Sequence, residues 1–224
     1  MTASGRPPTG AEALYPFLAP AASDPQARLA DARRSTVAKA REIVELRARL
    51  RGELGPRLLD CARALARAFA SGGRLFTFGN GGSATDAHAV AALFARPPHG
   101  RALPALALSS DVATVTALAN DVGFAVVFAR QLAAHAEAGD VAMGLSTSGS
   151  SDNVIQALTA ARARGLCTVG LAGYDGGRMA EPGVVEHLLV VPSASVHRIQ
   201  EAQTTLYQVV WELTQAALAG RTVT

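Results

Sequence analysis

The sequence predicts an α/β protein: a five-stranded parallel sheet flanked by helices, with further helices at the N-terminus. Three observations carry this reading. Short, nearly continuous apolar runs recur along the chain and are separated by stretches of helix-forming composition, the pattern of strands buried on both faces. The run Leu75-Phe76-Thr77-Phe78 leads into Gly79-Asn80-Gly81-Gly82-Ser83, a glycine-rich turn that opens a helix. A second apolar run, Val141-Ala142-Met143-Gly144-Leu145, leads in the same way into Ser146-Thr147-Ser148-Gly149-Ser150-Ser151.

Residues 1 to 24 are rich in Pro, Ala, Gly and Ser, and Pro7, Pro8, Pro16 and Pro20 break any helix there, so a loosely ordered leader is expected. Residues 25–224 then read as a single domain. It begins with two helices, about Ala27 to Arg51 and about Leu54 to Ala70, the second stopped by Ser71-Gly72-Gly73. After the glycine loop comes the helix Ala84 to Leu93. Pro104 to Leu108 is a strand, Asp111 to Ala119 a short helix capped by Asp111 or Ser110, and Phe124 to Ala138 a longer helix closed by Gly139. Asn153 to Arg164 is the helix after the serine loop. Leu166 to Leu171 and His187 to Val191 complete about five strands.

Composition narrows the function. With 224 residues, 49% of them hydrophobic, the chain buries a sizeable core in one domain. The net charge of +3 is mild and spread along the chain, so nucleic acid is not indicated. Lys39 is the single lysine and lies far from the loops, which argues against Schiff-base chemistry. Cys61 and Cys167 have no metal-type spacing and suit reduced thiols in a cytoplasmic protein. No apolar run reaches the roughly 18 residues of a membrane span, and the N-terminus lacks a signal pattern.

Both loops follow apolar strands and precede helices, so both belong at the carboxyl ends of parallel strands, where open α/β sheets bind ligands. Free N–H groups at a helix start favour an anion. The series Gly79-x-Gly81-x-x-Ala84 also fits a dinucleotide fingerprint. Hydroxyls and amides without a basic cluster suit one phosphate monoester better than a pyrophosphate, which points to a phosphosugar and to no bound cofactor.

Together with these loops, Ala119-Asn120-Asp121, Gly139-Asp140-Val141, Asp152-Asn153-Val154, Gly173-Tyr174-Asp175-Gly176-Gly177 and Arg198-Ile199-Gln200-Glu201 resemble the phosphoheptose isomerase group of sugar isomerase (SIS) domains. The resemblance runs in order from about residue 36 to 219. It implies a flavodoxin-like three-layer fold, a homotetramer, and a sugar phosphate bound between the two loops near a subunit interface. It also implies that Ser83, Ser146, Thr147, Ser148 and Ser151 hold the phosphate, with Asn80, Asp121 and Gln200 beside the sugar.

The group's zinc ligands fall, by the same resemblance, on Ala89, Leu93, Gln200 and Gln208. A zinc site takes about three or four N, S or carboxylate ligands, so no metal is expected there. His88 is one residue away from Ala89, a rotation of about 100° on a helix. Remaining candidates for acid–base work are Glu201, His197 and His88, with Glu201 as the base if partial burial raises its pKa. His99, His135 and His187 read as structural or exposed. Two functions stay open: a zinc-independent aldose–ketose isomerase acting on a sugar phosphate, and a non-catalytic SIS protein that binds a protein partner, similar to relatives that associate with the replication initiator.

Overall fold

Five strands pair in parallel in the computed structural model, which describes residues 25–221; the expected leader lies outside the described residues. Chain order runs α1 Pro25–Ala70, β1 Leu75–Gly79, α2 Gly82–Ala95, β2 Ala105–Ala107, α3 Val112–Asp121, α4 Val127–His135, β3 Val141–Ser146, α5 Asp152–Ala163, β4 Cys167–Gly173, β5 His187–Val191 and α6 Val196–Leu218. The sheet order is β2-β1-β3-β4-β5. β1 therefore lies between β2 and β3, and the chain's winding reverses there. In such sheets the crevice at the reversal, beyond the carboxyl ends of the strands, is the ligand position. In the register Gly79 pairs with Leu145, so the loops after β1 and β3 start side by side.

Alternation along the strands fills two cores. On one face Leu75, Met143, Leu145, Val169, Leu171, Leu189 and Val191 meet α1, α2 and α6 through Leu65, Phe69, Val90, Phe94, Leu206 and Trp211. On the other, Phe76, Phe78 and Ala142 meet α4 and α5 through Phe128, Leu132, Val154 and Leu158. Gly144 sits mid-strand because a Cβ there would lie 2.8 Å from Val154 Cγ1 and 3.0 Å from Leu158 Cδ1. Among the described residues no helix is long and apolar enough to cross a membrane.

The contacts divide the chain between Glu42 and Ile43. In the first unit the described residues, the start of α1, are nearly all exposed, Leu29 and Val37 included. The second unit holds the sheet and its flanking helices.

Two sequence expectations are corrected here. The two amino-terminal helices are one, α1, which runs through Gly52, Gly55 and Pro56. Its buried stripe explains the continuity: Leu46, Leu50, Leu54, Leu58, Cys61 and Leu65 keep helical spacing across the proline. Pro56 removes a donor to the Gly52 carbonyl, but Gly52 is exposed, so solvent is free to take the donor's place. The expected long helix after Gly123 is instead a 3₁₀ turn, Phe124–Val126, followed by the short α4, with Ala136 already extended.

Continuity of α1 is testable at Gly52, where an added Cβ meets nothing within 4 Å. Gly52→Ala is expected to stabilise the protein by about 0.5–1 kcal/mol in urea melts, the helix-interior difference between the two residues. Unchanged or lower stability would mean that the helix is interrupted there.

Candidate functional site

Backbone proximity builds the first loop. A Cβ on Gly79 would lie 2.7 Å from the Leu145 carbonyl oxygen and 2.8 Å from that of Ser83, so glycine alone lets the end of β1 nest between them. Gly81 takes φ 54°, a left-handed value that an L side chain resists, and turns the chain into α2. Ser83 is buried, and its N–H donates to the Asn80 carbonyl at 3.0 Å.

In the second loop the Ser146 hydroxyl lies 3.3 Å from that of Ser148 and 3.0 Å from that of Ser151. The loop is held from behind by the segment after β4. A Cβ on Gly149 would fall 2.0 Å from the Gly176 carbonyl oxygen, and one on Gly177 would fall 2.4 Å from both the Ser148 carbonyl and the Ser150 hydroxyl. Gly173 N–H donates to the Thr147 carbonyl at 3.0 Å, and Met179 N–H to the Gly149 carbonyl at 2.9 Å. Arg178 closes the clamp by pairing with Asp152.

Two amides join the loops. Asn80 Nδ2 donates to Asn153 Oδ1 at 2.8 Å, and Asn153 Nδ2 donates back to Asn80 Oδ1 at 2.9 Å. Neither α2 nor α5, which begin at these loops, has a side-chain cap. By contrast α3 is capped by Asp111 and α6 by Ser195. The two uncapped helix starts at the sheet's reversal thus present N–H groups and a positive dipole end beside buried hydroxyls, an arrangement suited to a phosphate.

The last helix supplies a wall. Gln200 lies so close over the glycine loop that a Cβ on Gly82 would sit 2.2 Å from its Nε2. The Gln200 amide also faces the Asp86 carboxyl, close enough to favour its ionised form. Burial pushes the Asp86 pKa up from its ordinary value, and the neighbouring Gln200 amide opposes this in part. Its Oδ2 is buried with no hydrogen-bond partner. Tyr207 stands in the same cluster; burial raises its pKa first, a bond from Thr204 lowers it and the Asp86 charge raises it further.

Several sequence-predicted residues meet at this crevice: Asn80, Ser83, Ser146, Ser148, Ser151 and Gln200, with Thr147 holding β4 through its carbonyl. Others stand apart from these contacts. Asp121 ends α3, exposed, and accepts from the Asn120 amide at 2.8 Å. His88 Nε2 lies 3.0 Å from the Ser109 hydroxyl and 3.4 Å from that of Ser110, in a pocket beside β2. His197 is exposed in the first turn of α6. The Glu201 side chain is 45% exposed and paired with Arg198. Sequence reasoning missed Asp86 and gave Asn153 no role. Asp86, three residues beyond Ser83, carried a local signal in being the one carboxylate on α2.

At the zinc positions implied by resemblance, Ala89 is exposed, Leu93 packs against the apolar core and Gln208 is exposed. A methyl, an isobutyl and two amides do not furnish the nitrogen, sulfur and carboxylate set that holds zinc, so these residues do not fit that ion.

A parallel sheet in this order, with two hydroxyl- and glycine-rich loops at its reversal, defines a doubly wound α/β domain with a ligand-type crevice at its switch point. The chain belongs to the SIS domain family, whose sequence model matches residues 40–173, and within it to the phosphoheptose isomerase group. It is 46% identical over 180 residues to the phosphoheptose isomerase of Pelobacter propionicus, covering 80% of this chain and 93% of that one. It is 42% identical over 166 residues to that of Aquifex aeolicus, covering 73% and 86%. Among solved structures, phosphoheptose isomerase GmhA of Neisseria gonorrhoeae superposes with a TM-score of 0.76 at 34% identity, covering 82% of this chain and 98% of that one.

Asp86 yields a signed stability prediction. A carboxyl whose pKa is higher in the folded state destabilises the fold when ionised, so its penalty is present at neutral pH. The penalty fades as pH falls through the raised pKa, and it is gone below the unfolded value of 3.8. Asp86→Asn is therefore expected to raise the urea midpoint at pH 7 and to lose that advantage near pH 3.8 or below. An equal gain at every pH would remove ionisation as the cause.

Proposed function

We propose that this protein binds a sugar phosphate of the heptose phosphate class between its two loops and interconverts the aldose and ketose forms without the group's zinc. One observation carries the reading: two uncapped helix starts, α2 and α5, are joined by the Asn80–Asn153 amide pair and bordered by the hydroxyls of Ser83, Ser146, Ser148 and Ser151. Thr147 completes the phosphate shell through its side chain or N–H. A relative named phosphoheptose isomerase, 46% identical to this chain, supplies the substrate class.

Isomerisation moves a proton between C1 and C2. A carboxylate takes the proton from one carbon, a donor steadies the enediolate oxygen, and the proton returns to the neighbouring carbon while the oxygens exchange theirs. Asp86 is the carboxyl in contact with Gln200, and it lies about one helical turn, roughly 5 Å, along α2 from Ser83. Its raised pKa brings it closer to the range where a general base works at neutral pH. The Gln200 amide is the donor. Glu201 and His197 serve the rim on this reading, and His88 the pocket beside β2; Asn80 and Asp121 border the sugar.

Sugar phosphate is expected to stabilise the protein by about 2.7 kcal/mol at a hundredfold excess over Kd, and Ser148→Trp to abolish that shift. Asp86→Asn is expected to lower turnover by about 100-fold or more, with the thermal shift retained, and Glu201→Gln to lower it much less. The reverse ranking would move the base to Glu201. A parent protein that binds but turns over no phosphorylated heptose, hexose or pentose is a binding protein.

Assembly and location belong to the same proposal. Val44 is exposed on α1, and a groove of about 450 Å³ between α1 and α6 is lined by Leu50, Leu58, Leu206, Val209 and Leu213. These surfaces support a closed homo-oligomer, a tetramer by resemblance. Light scattering at micromolar concentration is expected to give that mass, and a monomer mass would refute it. Both cysteines are free, as suits the cytoplasm.

A further inference from the structure

At the end of the sheet opposite the crevice, three ligand-type side chains meet that are far apart in sequence. Cys167 is the first residue of β4 and His187 the first of β5. In the register His187 pairs with Val169. Because strand side chains alternate, Cys167, Val169 and His187 point to the same face, the one where Cys167 packs against the core that includes the buried Cys61 of α1. Glu186 precedes His187, and its N–H donates to the buried Thr168 hydroxyl at 2.9 Å, which fixes the Glu186-His187 pair against β4.

We propose that Cys167, Glu186 and His187 bind a thiophilic divalent cation, Zn²⁺ being the best fit, as a clip between the starts of β4 and β5. One ligand atom from each residue lies within 4.8 Å of the other two. His187 Nε2 and Glu186 Oε1 are 3.7 Å apart. Around a tetrahedral zinc ion with bonds of about 2.0–2.3 Å, ligand atoms stand about 3.3–3.8 Å from one another, so small side-chain rotations complete the triangle. A second, independent observation points to a ligand: His187 Nε2 is buried and has no hydrogen-bond partner. A buried imidazole nitrogen left without a hydrogen bond is costly, and a cation would use it.

The donor set selects the ion. Thiolate and imidazole favour zinc over magnesium or calcium, which prefer all-oxygen sites. Glu186 is 54% exposed, so the ion enters on its side, and water completes the fourth position. On binding, the Cys167 thiol gives its proton to solvent and becomes the thiolate ligand. The site shares no residue with the sugar-phosphate crevice and stands whether or not the chain is an isomerase.

Full-length protein stripped with EDTA tests this by competition with a chromophoric zinc chelator. One Zn²⁺ per chain is expected, with a rise in melting temperature. Cys167→Ser and His187→Asn are expected to weaken binding about 100-fold or more, at or above the range seen when outer partners of metal ligands are changed. Glu186→Gln, at an exposed position that leaves folding intact, is expected to weaken it at least tenfold. Co²⁺ added to the parent is expected to give a thiolate-to-cobalt charge-transfer band that Glu186→Gln diminishes. Gln200→Ala, in the crevice, is expected to bind Zn²⁺ as the parent does. No stoichiometric binding, no thiolate band, binding unaffected by Glu186→Gln, or binding lost in Gln200→Ala would each overturn the proposal.

Discussion

The reciprocal amide pair between Asn80 and Asn153 is the contact on which the crevice depends. The sheet brings β1 and β3 side by side, but pairing in the sheet ends at Gly79 and Leu145, and beyond it two irregular loops must keep a fixed spacing. Each asparagine donates once and accepts once, at 2.8 and 2.9 Å, and Asn153 is 2% exposed. A neutral hydrogen bond contributes about 1 kcal/mol net, whereas one buried partner left alone costs about 1–3 kcal/mol. The pair is thus worth more for what its loss would strand than for its own strength.

Around that pair the fold spends its backbone freedom where a side chain would collide. Gly79, Gly149 and Gly177 let three loop segments approach to distances that no Cβ tolerates. The opposite tendency holds along α6. Gln203 is fully buried with neither amide atom paired, Trp211 Nε1 is unpaired, and Asp86 faces the same helix with one oxygen unpaired. Native cores satisfy nearly all such groups. Gln203 and Trp211 on α6 and Asp86 on α2 depart from that pattern.

Much of this architecture was legible in the sequence because its signals are local. Apolar runs bounded by glycine marked the strands, and the two glycine- and serine-rich turns marked the candidate site. What escaped depends on contacts between distant residues. Gln200 meets Asp86 across 114 positions, so adjacency along the chain suggested Glu201, which instead lies exposed beside Arg198. The glycines and proline of α1 read as a break because the local penalty is visible in sequence, while the buried leucine stripe that outweighs it becomes visible only with its packing partners. Cys167 and His187, 20 residues apart, showed no ligand spacing because the register of β4 with β5, and not the interval, brings them together.

A double-mutant cycle on sugar-phosphate affinity tests the central claim, that the two loops act as one site through a single amide pair. Titration calorimetry with a heptose phosphate would be run on the parent, Asn80→Ala, Asn153→Ala and the double variant. Coupling predicts that each single change weakens binding to a similar degree and that the double variant binds about as well as either single one. Additive losses, or a single variant that binds like the parent, would show that the loops act independently and contradict the account.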